Sequence, residues 1–413
     1  MLLIANITLK YYSSPYSICS DSHIDVFYGI IRDVYYEKYV YLKGEAMAGS
    51  IFGNIFRVST FGESHGKAVG VIVDGCPAGI SLNEDDVQIY LNRRKPGQSD
   101  YSTPRKEADE VEILSGIFEG KTTGTPIAMV VHNTSQRSKD YSDIASYYRP
   151  GHADYTFDEK YGFRDYRGGG RSSGRETIAR VAAGAVAAKV LKELNIFVNA
   201  YTKAIDNVEI DTYNPEEIFK NELFMPDAKA VEKARKVLDE RRAKGDSAGG
   251  VVECRVNGLM PGVGEPVFDK LDAELAKAIV SIGAVKAFEI GDGINAAMSS
   301  GFDNNDFFSM KDGKVSKETN HSGGTLGGIS DGSEVLLRAY FKPTPSIFKE
   351  QKTVNKSGED IFVKIKGRHD PIIVPRAVVV VEAMTAITIL DLLLRNMSSN
   401  IENIKKVYSN ECK

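Results

Sequence analysis

A long apolar stretch near the C-terminus limits the folds that this chain can adopt. Residues 377–394 include four consecutive valines and end in three leucines. Such a segment is buried either in a protein core or in a membrane. It contains Glu382 and Asp391, and a charge near the centre of a bilayer is costly. The sequence therefore predicts a core helix of a soluble protein and no membrane partner.

Bulk composition narrows the class of protein further. The chain has 413 residues, of which 42% are apolar and 26% charged, and its formal net charge is −4. These values are ordinary for a globular protein and do not indicate a general binder of nucleic acid or of membrane surfaces. The four cysteines form no CxxC pair and are too sparse for a disulfide framework, which favours a reducing, cytoplasmic compartment.

The sequence changes character at Met47. Residues 1–46 are rich in tyrosine and lack a clear helical or strand period, whereas the sequence that follows is patterned and punctuated by glycine. Residues 43–45, Lys-Gly-Glu, can be encoded by a purine-rich ribosome-binding sequence. We therefore expect residues 1–46 to be a non-native or disordered extension; the alternative is a genuine but poorly ordered one. Residues 47–400 are expected to form a single catalytic domain, followed by a tail at 401–413.

Strands and helices alternate after Met47. Residues 67–74 are typical of a buried strand, and Ser81 with Glu84 fits a capping box for a helix that reaches Arg93. Short strands are expected within residues 111–132. Further predicted elements are helices at 175–194, 228–243, 267–280 and 376–396, and strands near 249–257, 284–290 and 333–341. Strands grouped among long helices indicate an α+β or layered α/β protein, without fixing its topology.

A glycine-rich segment is the strongest indication of a ligand site. Three glycines at 168–170 precede Arg171, and Ser173 with Glu176 fits a second capping box at the start of a helix. Free backbone N–H groups at a helix start bind anions, and Arg171 and Arg175 add bidentate donors. The alternative is a capped helix with solvated arginines.

Arginine density favours the first interpretation. A small polyanionic ligand explains such clustering in a net-acidic protein better than random surface charge does. The arginines of this part of the chain are Arg93, Arg94, Arg105, Arg137, Arg149, Arg164, Arg167, Arg171, Arg175 and Arg180.

Four of the six histidines lie beside glycines in polar segments: His65, His152, His321 and His369. A histidine in a glycine-containing loop is where a proton-transfer group would be displayed. The other two histidines are expected to be structural hydrogen-bonding residues. Metal binding is not predicted, because the sequence has no HxxxH, HExxH or Cys/His pair at ligand spacing.

Two other motifs suggest rival functions. Residues 115–122, SGIFEGKT, have one residue too few between their glycines for a phosphate-binding P-loop. Residues 291–296, GDGINA, match a dinucleotide fingerprint of an NAD-linked dehydrogenase, but residues 301–308 are typical of a loop and not of the helix that this fold requires. A nucleic-acid-binding protein is the rival from another class, and the alternation of the arginines with acidic residues speaks against it.

Eight ordered motifs resemble the chorismate synthase family and extend from Met47 to about Arg395. They are FGESHG at 61–66, DGCPAGI at 74–80, RRKPGQS at 93–99, RPGHADYT at 149–156, YRGGGRSSGRET at 166–177, GEPVFDKLDAELAKAIVSIGAVKAFEIGDG at 264–293, NHSGGTLGGIS at 320–330 and GRHDP at 367–371.

The resemblance implies a homotetramer whose protomer is an α+β sandwich of helices between antiparallel sheets. It implies a carbon–oxygen lyase that uses reduced FMN (FMNH2) for the 1,4-elimination of phosphate from 5-enolpyruvylshikimate 3-phosphate. The product is chorismate, at the end of the shikimate pathway towards aromatic amino acids. NADPH is a candidate reductant, and since no reductase module is visible we expect an external flavin reductase.

The resemblance also implies roles for individual residues. His65 and His152 are the expected proton-donating and anion-stabilising pair, and Asp370 is the expected base towards the flavin N5 proton. Substrate or nicotinamide-nucleotide contacts are implied for Arg94, Arg149 and Arg175. FMN contacts are implied for Arg171, Ser172, Ser173, Gly283, Ala284, Gly327, Lys342, Pro343, Thr344, Pro345, Ser346 and Arg368.

Two positions depart from the family pattern. Asp100 stands where many members carry arginine, which puts one polar contact to substrate or nucleotide in doubt. Gly283 stands where asparagine is common, which removes a side-chain contact near the flavin and leaves backbone contacts. Neither position is one of the three predicted catalytic residues.

Overall fold

The computed structural model describes residues 49–97, 101–102, 107–134, 143–365 and 370–409. The first part of the chain forms an antiparallel five-stranded sheet in the order β1-β2-β3-β7-β4, together with a separate β5–β6 hairpin. The strands are β1 (Ile51–Phe52), β2 (Arg57–Gly62), β3 (Ala68–Asp74), β4 (Val111–Ile113), β5 (Ile117–Phe118), β6 (Lys121–Thr122) and β7 (Ile127–His132).

A second antiparallel five-stranded sheet has the order β11-β16-β10-β8-β9. Three hairpins accompany it: β12–β13, β14–β15 and β17–β18. The strands are β8 (Phe197–Ile205), β9 (Val208–Glu209), β10 (Gly250–Asn257), β11 (Val285–Ile290), β12 (Phe308–Lys311), β13 (Lys314–Lys317), β14 (Thr325–Leu326), β15 (Ile329–Ser330), β16 (Val335–Phe341), β17 (Gln351–Val354) and β18 (Asp360–Val363).

Two of the eight described helices, those at Thr177–Glu193 and Val374–Asn396, lie between the two sheets. The helices are α1 (Glu84–Arg94), α2 (Asp154–Tyr161), α3 (Thr177–Glu193), α4 (Ala228–Ala243), α5 (Leu271–Val280), α6 (Gly301–Asn304), α7 (Val374–Asn396) and α8 (Ile401–Tyr408). Helix α3 packs on β3, α7 packs on β8 and β10, and the two helices pack on each other. They approach closely at Gly184, where a Cβ atom would lie 2.2 Å from the Cβ of Ala383. The predicted α+β sandwich is confirmed.

Helix α7 is the core helix that the apolar stretch predicts. By length and composition alone it could cross a membrane. However, 89% of its most apolar 18-residue stretch is buried inside the protein. Its two acidic residues are both engaged. Glu382 accepts a bidentate pair from Arg93 at 2.7 and 2.8 Å, and Asp391 accepts backbone N–H groups of residues 54–56. Pairing of this kind is what buried charges require.

The predicted element types are confirmed, and most boundaries agree to within a few residues. The capping box predicted at Ser81 and Glu84 is wrong. The N-cap is Asn83, whose side chain accepts from the N–H of Asp86 while the Asp86 carboxylate accepts from the N–H of Asn83. Ser81 lies two residues too early and instead forms a bridge with Lys121 of the β5–β6 hairpin.

The segment that matched a dinucleotide fingerprint forms no Rossmann unit. Residues 293–298 make a 3-10 turn, and the short helix α6 leads into β12. Residues 1–46 lie outside the described residues, so the division of the chain into domains stays a prediction. The predicted C-terminal tail contains helix α8.

Candidate active site

The turn between β2 and β3 carries His65. The N–H of Gly66 donates to the carbonyl of Glu63 at 3.0 Å and closes the turn. The side-chain amide of Asn133, just after β7, donates to the carbonyls of Glu63 at 3.0 Å and Gly66 at 2.9 Å. His65 is only 5% exposed. The neighbouring strands β3 and β7 therefore fix the position of the turn that contains His65.

The glycines at 168–170 pack directly on this turn. Gly168 has φ +65°, and a Cβ atom there would lie 2.4 Å from Cδ2 and 2.6 Å from Nε2 of His65. A Cβ atom at Gly170, with φ +53°, would lie 2.7 Å from Oε2 of Glu63. Real side chains cannot make such approaches, and positive φ also favours glycine. The glycines are needed because the imidazole and a carboxylate occupy the space of their side chains.

The predicted N-cap at Ser173 is confirmed, but it caps a 3-10 turn that leads into α3 and not α3 itself. Residues 170–172 and 174–176 make two 3-10 turns, and α3 begins only at Thr177. Ser173 caps the second turn, but Glu176 does not complete a capping box, because its carboxylate accepts from Thr60 at 3.0 Å and from Arg180 at 2.8 Å. Gly168, Gly169 and Gly170, which precede these turns, all have positive φ.

Arg171 and Ser172 act locally on the same loop. The Arg171 guanidinium donates to the hydroxyl of Thr60 at 2.6 Å and to the carbonyl of Gly62 at 3.3 Å. The Ser172 hydroxyl donates to the carbonyl of Gly169 at 2.7 Å. The loop is thereby fastened to β2, next to His65.

All three arginines expected to meet the substrate are paired with carboxylates. Arg94 and Arg175 share Asp109, at 2.5 and 3.2 Å, and Arg175 also pairs with Glu107. Burial lowers the pKa of Arg94 to about 10, against the opposing effect of Asp109.

Arg149 forms a bidentate pair with Asp154, both contacts at 2.8 Å. The positive charges of Arg94, Arg175 and Arg149 are therefore compensated within the protein.

His152 lies in a second group of predicted residues. Its Nε2 is 2.8 Å from the hydroxyl of Ser346. The ammonium of Lys342 donates to the carbonyl of Gly151 at 2.8 Å, and a Cβ atom at Gly151 would lie 2.7 Å from Pro345.

Two further predicted residues join this group through the backbone. The N–H of Lys342 donates to the carbonyl of Ala284 at 3.0 Å, and the carbonyl of Thr344 accepts from Ser247 at 2.7 Å. Lys342 and Pro343 also line a cavity of about 590 Å³ together with Lys286 and Arg241. Burial and the nearby Lys286 lower the pKa of Lys342.

Asp370 lies next to the arginine group. Its carboxylate accepts from Nη1 of Arg376 at 2.6 Å, and Nε of Arg376 donates to the carbonyl of Arg94 at 3.1 Å. The carbonyl of Pro371 accepts from the N–H of Ala248, beside the Ser247 that contacts Thr344. Asp370 is thus held between the two groups and is itself paired with a cation.

Residues 149–152 connect the two groups. We call Glu63, His65, residues 168–175 and the arginine–carboxylate cluster the His65 half, and His152 with residues 342–346 and Ala284 the His152 half. Nη2 of Arg149 would lie 3.8 Å from a Cβ atom built at Gly169. The carbonyl of Gly151 accepts a hydrogen bond from Lys342 of the 342–346 loop. Residues 149–152 therefore contact both groups, and a single site containing both histidines stays a prediction.

Some predicted positions lie elsewhere or outside the described residues. Gly327 lies in the turn of hairpin β14–β15, next to Gly328, whose carbonyl accepts from the N–H of Leu271 at the start of α5. A Cβ atom at Gly283 would meet no heavy atom of the described residues within 4 Å, so there is room for the asparagine common in the family. Arg368, His369, Asp100, Arg105, Arg137 and His23 lie outside the described residues.

Sequence reasoning missed four residues of the His65 half: Glu63, Glu107, Asp109 and Asn133. Burial raises the pKa of Glu63, and the nearby Asp165 raises it further. Glu63 is part of the FGESHG motif, so its position beside a candidate histidine was a usable signal. The other three act through contacts between distant segments, which motif spacing does not reveal.

The fold is an α+β sandwich in which a buried histidine and arginine–carboxylate pairs are gathered, an arrangement typical of an enzyme. The chorismate synthase family model matches residues 56–394. A chorismate synthase of Lachnospira eligens is 65% identical over 364 residues, covering 88% of this chain and 100% of the relative. One from Agathobacter rectalis is 66% identical, covering 88% and 99%.

A solved structure supports the same relationship. A crystal structure of a chorismate synthase aligns with a TM-score of 0.69 and 31% identity, covering 87% of this chain and 98% of that one. The chain therefore belongs to the chorismate synthase family, whose members are carbon–oxygen lyases acting on phosphates.

Proposed function

We propose that this site eliminates phosphate from 5-enolpyruvylshikimate 3-phosphate to give chorismate, with reduced FMN as the cofactor. The observation that carries the proposal is the joining of the His65 and His152 halves through residues 149–152. A substrate that carries a phosphate and two carboxylates, bound beside a flavin phosphate, needs cationic and hydrogen-bonding groups on both sides.

The residues of the His152 half fit a flavin phosphate. Lys342 and Ser346 provide an ammonium and a hydroxyl, and the cavity beside Lys342 also contains Lys286. We propose that residues 342–346, Gly283 and Ala284 hold FMN, with Arg171, Ser172, Ser173, Gly327 and Arg368 as further contacts. When bound, reduced FMN supplies an electron that weakens the substrate C–O bond and is restored at the end of each turnover.

The protein's own residues position and move protons. His65, buried against Gly168, stabilises the departing phosphate and gives it a proton. His152 donates towards the flavin, and its orientation is fixed by Ser346. Asp370 is the base that receives the flavin N5 proton. Its ion pair with Arg376 fixes the direction of the carboxylate.

The arginines act differently from a simple anion clamp. Because Arg94, Arg149 and Arg175 already pair with carboxylates, they add little net charge to the site. We propose that they orient the phosphate and carboxylates more than they attract them. Arg94 is also the proposed contact for a nicotinamide nucleotide.

Anaerobic conversion tests the function. The chain with chemically reduced FMN is expected to release chorismate and phosphate in equal amounts, whereas oxidised FMN with NADPH gives product only when a flavin reductase is added. Absence of chorismate with reduced FMN contradicts the function. Product with oxidised FMN and NADPH alone shows that the chain reduces its own flavin.

Flavin titration tests the cofactor site separately. Cationic groups favour the anionic reduced flavin over the neutral oxidised ring, so reduced FMN is expected to bind more tightly. Equal affinities of the two forms would contradict this assignment.

We also propose a cytoplasmic homotetramer. The described cysteines Cys76 and Cys254 are free thiols, as a reducing compartment favours. Hairpin β12–β13 exposes Phe308, Met310 and Val315, each at least 62% exposed, and apolar clusters of this kind mark protein interfaces. Sedimentation of the native protein is expected to give four copies. A monomer at working concentration contradicts the assembly.

A further inference from the structure

We propose that Asn133 is a positioning residue that holds the His65 turn and Arg175 in one fixed geometry. The inference rests on the roles proposed above for His65 and Arg175. Asn133 is outside the motifs that carry the family resemblance. It lies one residue beyond β7 and bonds to both groups through a single amide.

The amide of Asn133 uses all of its hydrogen-bonding groups but one lone pair. Its Nδ2 donates to the carbonyls of Glu63 and Gly66 at 3.0 and 2.9 Å, and its Oδ1 accepts from Nε of Arg175 at 2.9 Å. The flipped amide would set its oxygen against two carbonyls and its NH2 group against an arginine N–H. Only one orientation therefore satisfies the three partners.

The backbone of Asn133 is itself anchored. Its N–H donates to the carbonyl of Lys67 at 3.0 Å, which continues the pairing of Ala68 with His132 between β3 and β7. The amide therefore transfers the geometry of a rigid sheet to two loops. One of these loops contains His65, between the two carbonyls that Asn133 binds.

The other partner, Arg175, directs its Nη1 group to Glu107 and Asp109. Those carboxylates set the direction of the guanidinium from one side, and Asn133 sets it from the Nε side. Loss of the amide removes a charge-assisted hydrogen bond from Arg175 and two donors from the His65 turn. Misplacement of catalytic groups by about 1 Å can cost about 100-fold in rate.

Aspartate, serine and glutamine cannot reproduce these contacts. Aspartate places an oxygen where both carbonyls need a donor, serine has a single donor, and glutamine moves the amide by about one C–C bond. Asparagine has the two donors, the acceptor and the length that the three partners require.

Steady-state kinetics of Asn133→Ala test the proposal, with reduced FMN supplied. We expect kcat/KM to fall by about 10- to 100-fold, with kcat lowered through His65 and KM for the substrate raised through Arg175. A change in thermal midpoint alone, with kcat and KM as in the wild type, overturns the proposal.

Asn221→Ala is the matched control. Asn221 is also half-buried, and its amide also donates to two backbone carbonyls, those of Glu217 and Met225, at 2.8 and 2.9 Å. It lies in the loop before α4, away from the site. We expect it to lower the thermal midpoint without changing kcat or KM. If both variants change kcat/KM equally, the effect is general destabilisation and the proposal fails.

A double-mutant cycle with Arg175→Lys separates positioning from stability. Lysine keeps the charge but lacks the Nε–H that Asn133 accepts, so the two KM effects are expected to be less than multiplicative in the double variant. Fully multiplicative effects overturn the coupling. Asn133→Ser serves in the same cycle if the alanine variant does not fold. Wild-type turnover in the same assay separates a failure of this inference from a failure of the proposed function.

Discussion

The two halves of the site differ in what happens to their positive charge. In the His65 half, Arg94 and Arg175 are buried and share carboxylates of Glu107 and Asp109. In the His152 half, Lys342 donates to a backbone carbonyl, and its charged neighbour is another lysine, Lys286. Arginine density in a sequence therefore does not measure the charge available to a ligand. We therefore propose that the His65 half supplies geometry and the His152 half supplies charge.

Asp370→Ala is expected to have the largest effect, because Asp370 lies where the halves meet. Loss of a positioned general base costs about 10²- to 10⁴-fold in rate, so kcat should fall by that factor while FMN affinity and the thermal midpoint change little. The measurements are kcat, FMN affinity and thermal midpoint on one preparation.

The control for Asp370→Ala is Asp360→Ala, which breaks an exposed pair with Lys352 on hairpin β17–β18. Asp370 also precedes a proline, and a residue that only stabilises that turn is worth about 1 kcal/mol. Near-normal kcat in Asp370→Ala means that another group is the base.

Arg175→Ala tests whether the His65 half is geometric. The substrate loses a charge-assisted partner worth roughly 2–5 kcal/mol, so KM should rise strongly. Glu107 and Asp109 lose a partner as well, so the thermal midpoint should fall. The control is Arg235→Ala. Arg235 lies on α4 and forms a bidentate pair with Glu222, which this variant breaks. An unchanged KM would remove Arg175 from the substrate site.

Gly168→Ala tests the packing of His65. The added methyl would lie within 2.6 Å of the imidazole, so the ring must move, and we expect kcat to fall by about 10- to 100-fold. Gly313→Ala has a similar backbone strain, with φ +76° and open space around the Cβ position. It controls for the cost of positive φ alone. If the two variants have the same kcat, the contact with His65 is not needed.

Lys342 gives the smallest and most specific prediction. Its pKa is lowered by burial and by Lys286, so the ammonium is lost at a lower pH than in an ordinary lysine. Since a flavin phosphate binds the ammonium, FMN affinity should decrease as pH rises through that lowered pKa. Lys342→Met should flatten this dependence, whereas Lys352→Met should not. A wild-type affinity independent of alkaline pH contradicts the charge role of the His152 half.

Sequence patterns predicted the elements better than their ends. Hydrophobic periodicity and the two buried acids predicted α7, since both signals lie within one segment. The start of α1 was wrong because two polar residues compete for the cap, and Asn83 takes it in place of Ser81. Ser173 is an N-cap as predicted, but Glu176 does not complete its capping box.

The sequence predicted those candidate site residues that lie within motifs. His152 contacts the 342–346 loop, and the joint action of this group with His65 stays a prediction from the family resemblance. The pairing of Arg175 with Glu107 and Asp109 could not be predicted, because no local rule joins residues more than 60 positions apart. The Asn133 bridge depends on strand pairing and was hidden for the same reason.

The three backbone N–H groups held by Asp391 have a consequence for biosynthesis. Residues 54–56 lead into β2, and their acceptor is more than 330 positions later. A ribosome releases the entry to the first sheet long before it releases Asp391. Until α7 emerges, the second sheet keeps the apolar face that packs on this helix uncovered, which invites aggregation and chaperone binding. Contacts of such sequence separation also slow folding. The segment that leads into the first sheet therefore obtains its hydrogen-bond acceptor from one of the last helices to be synthesised.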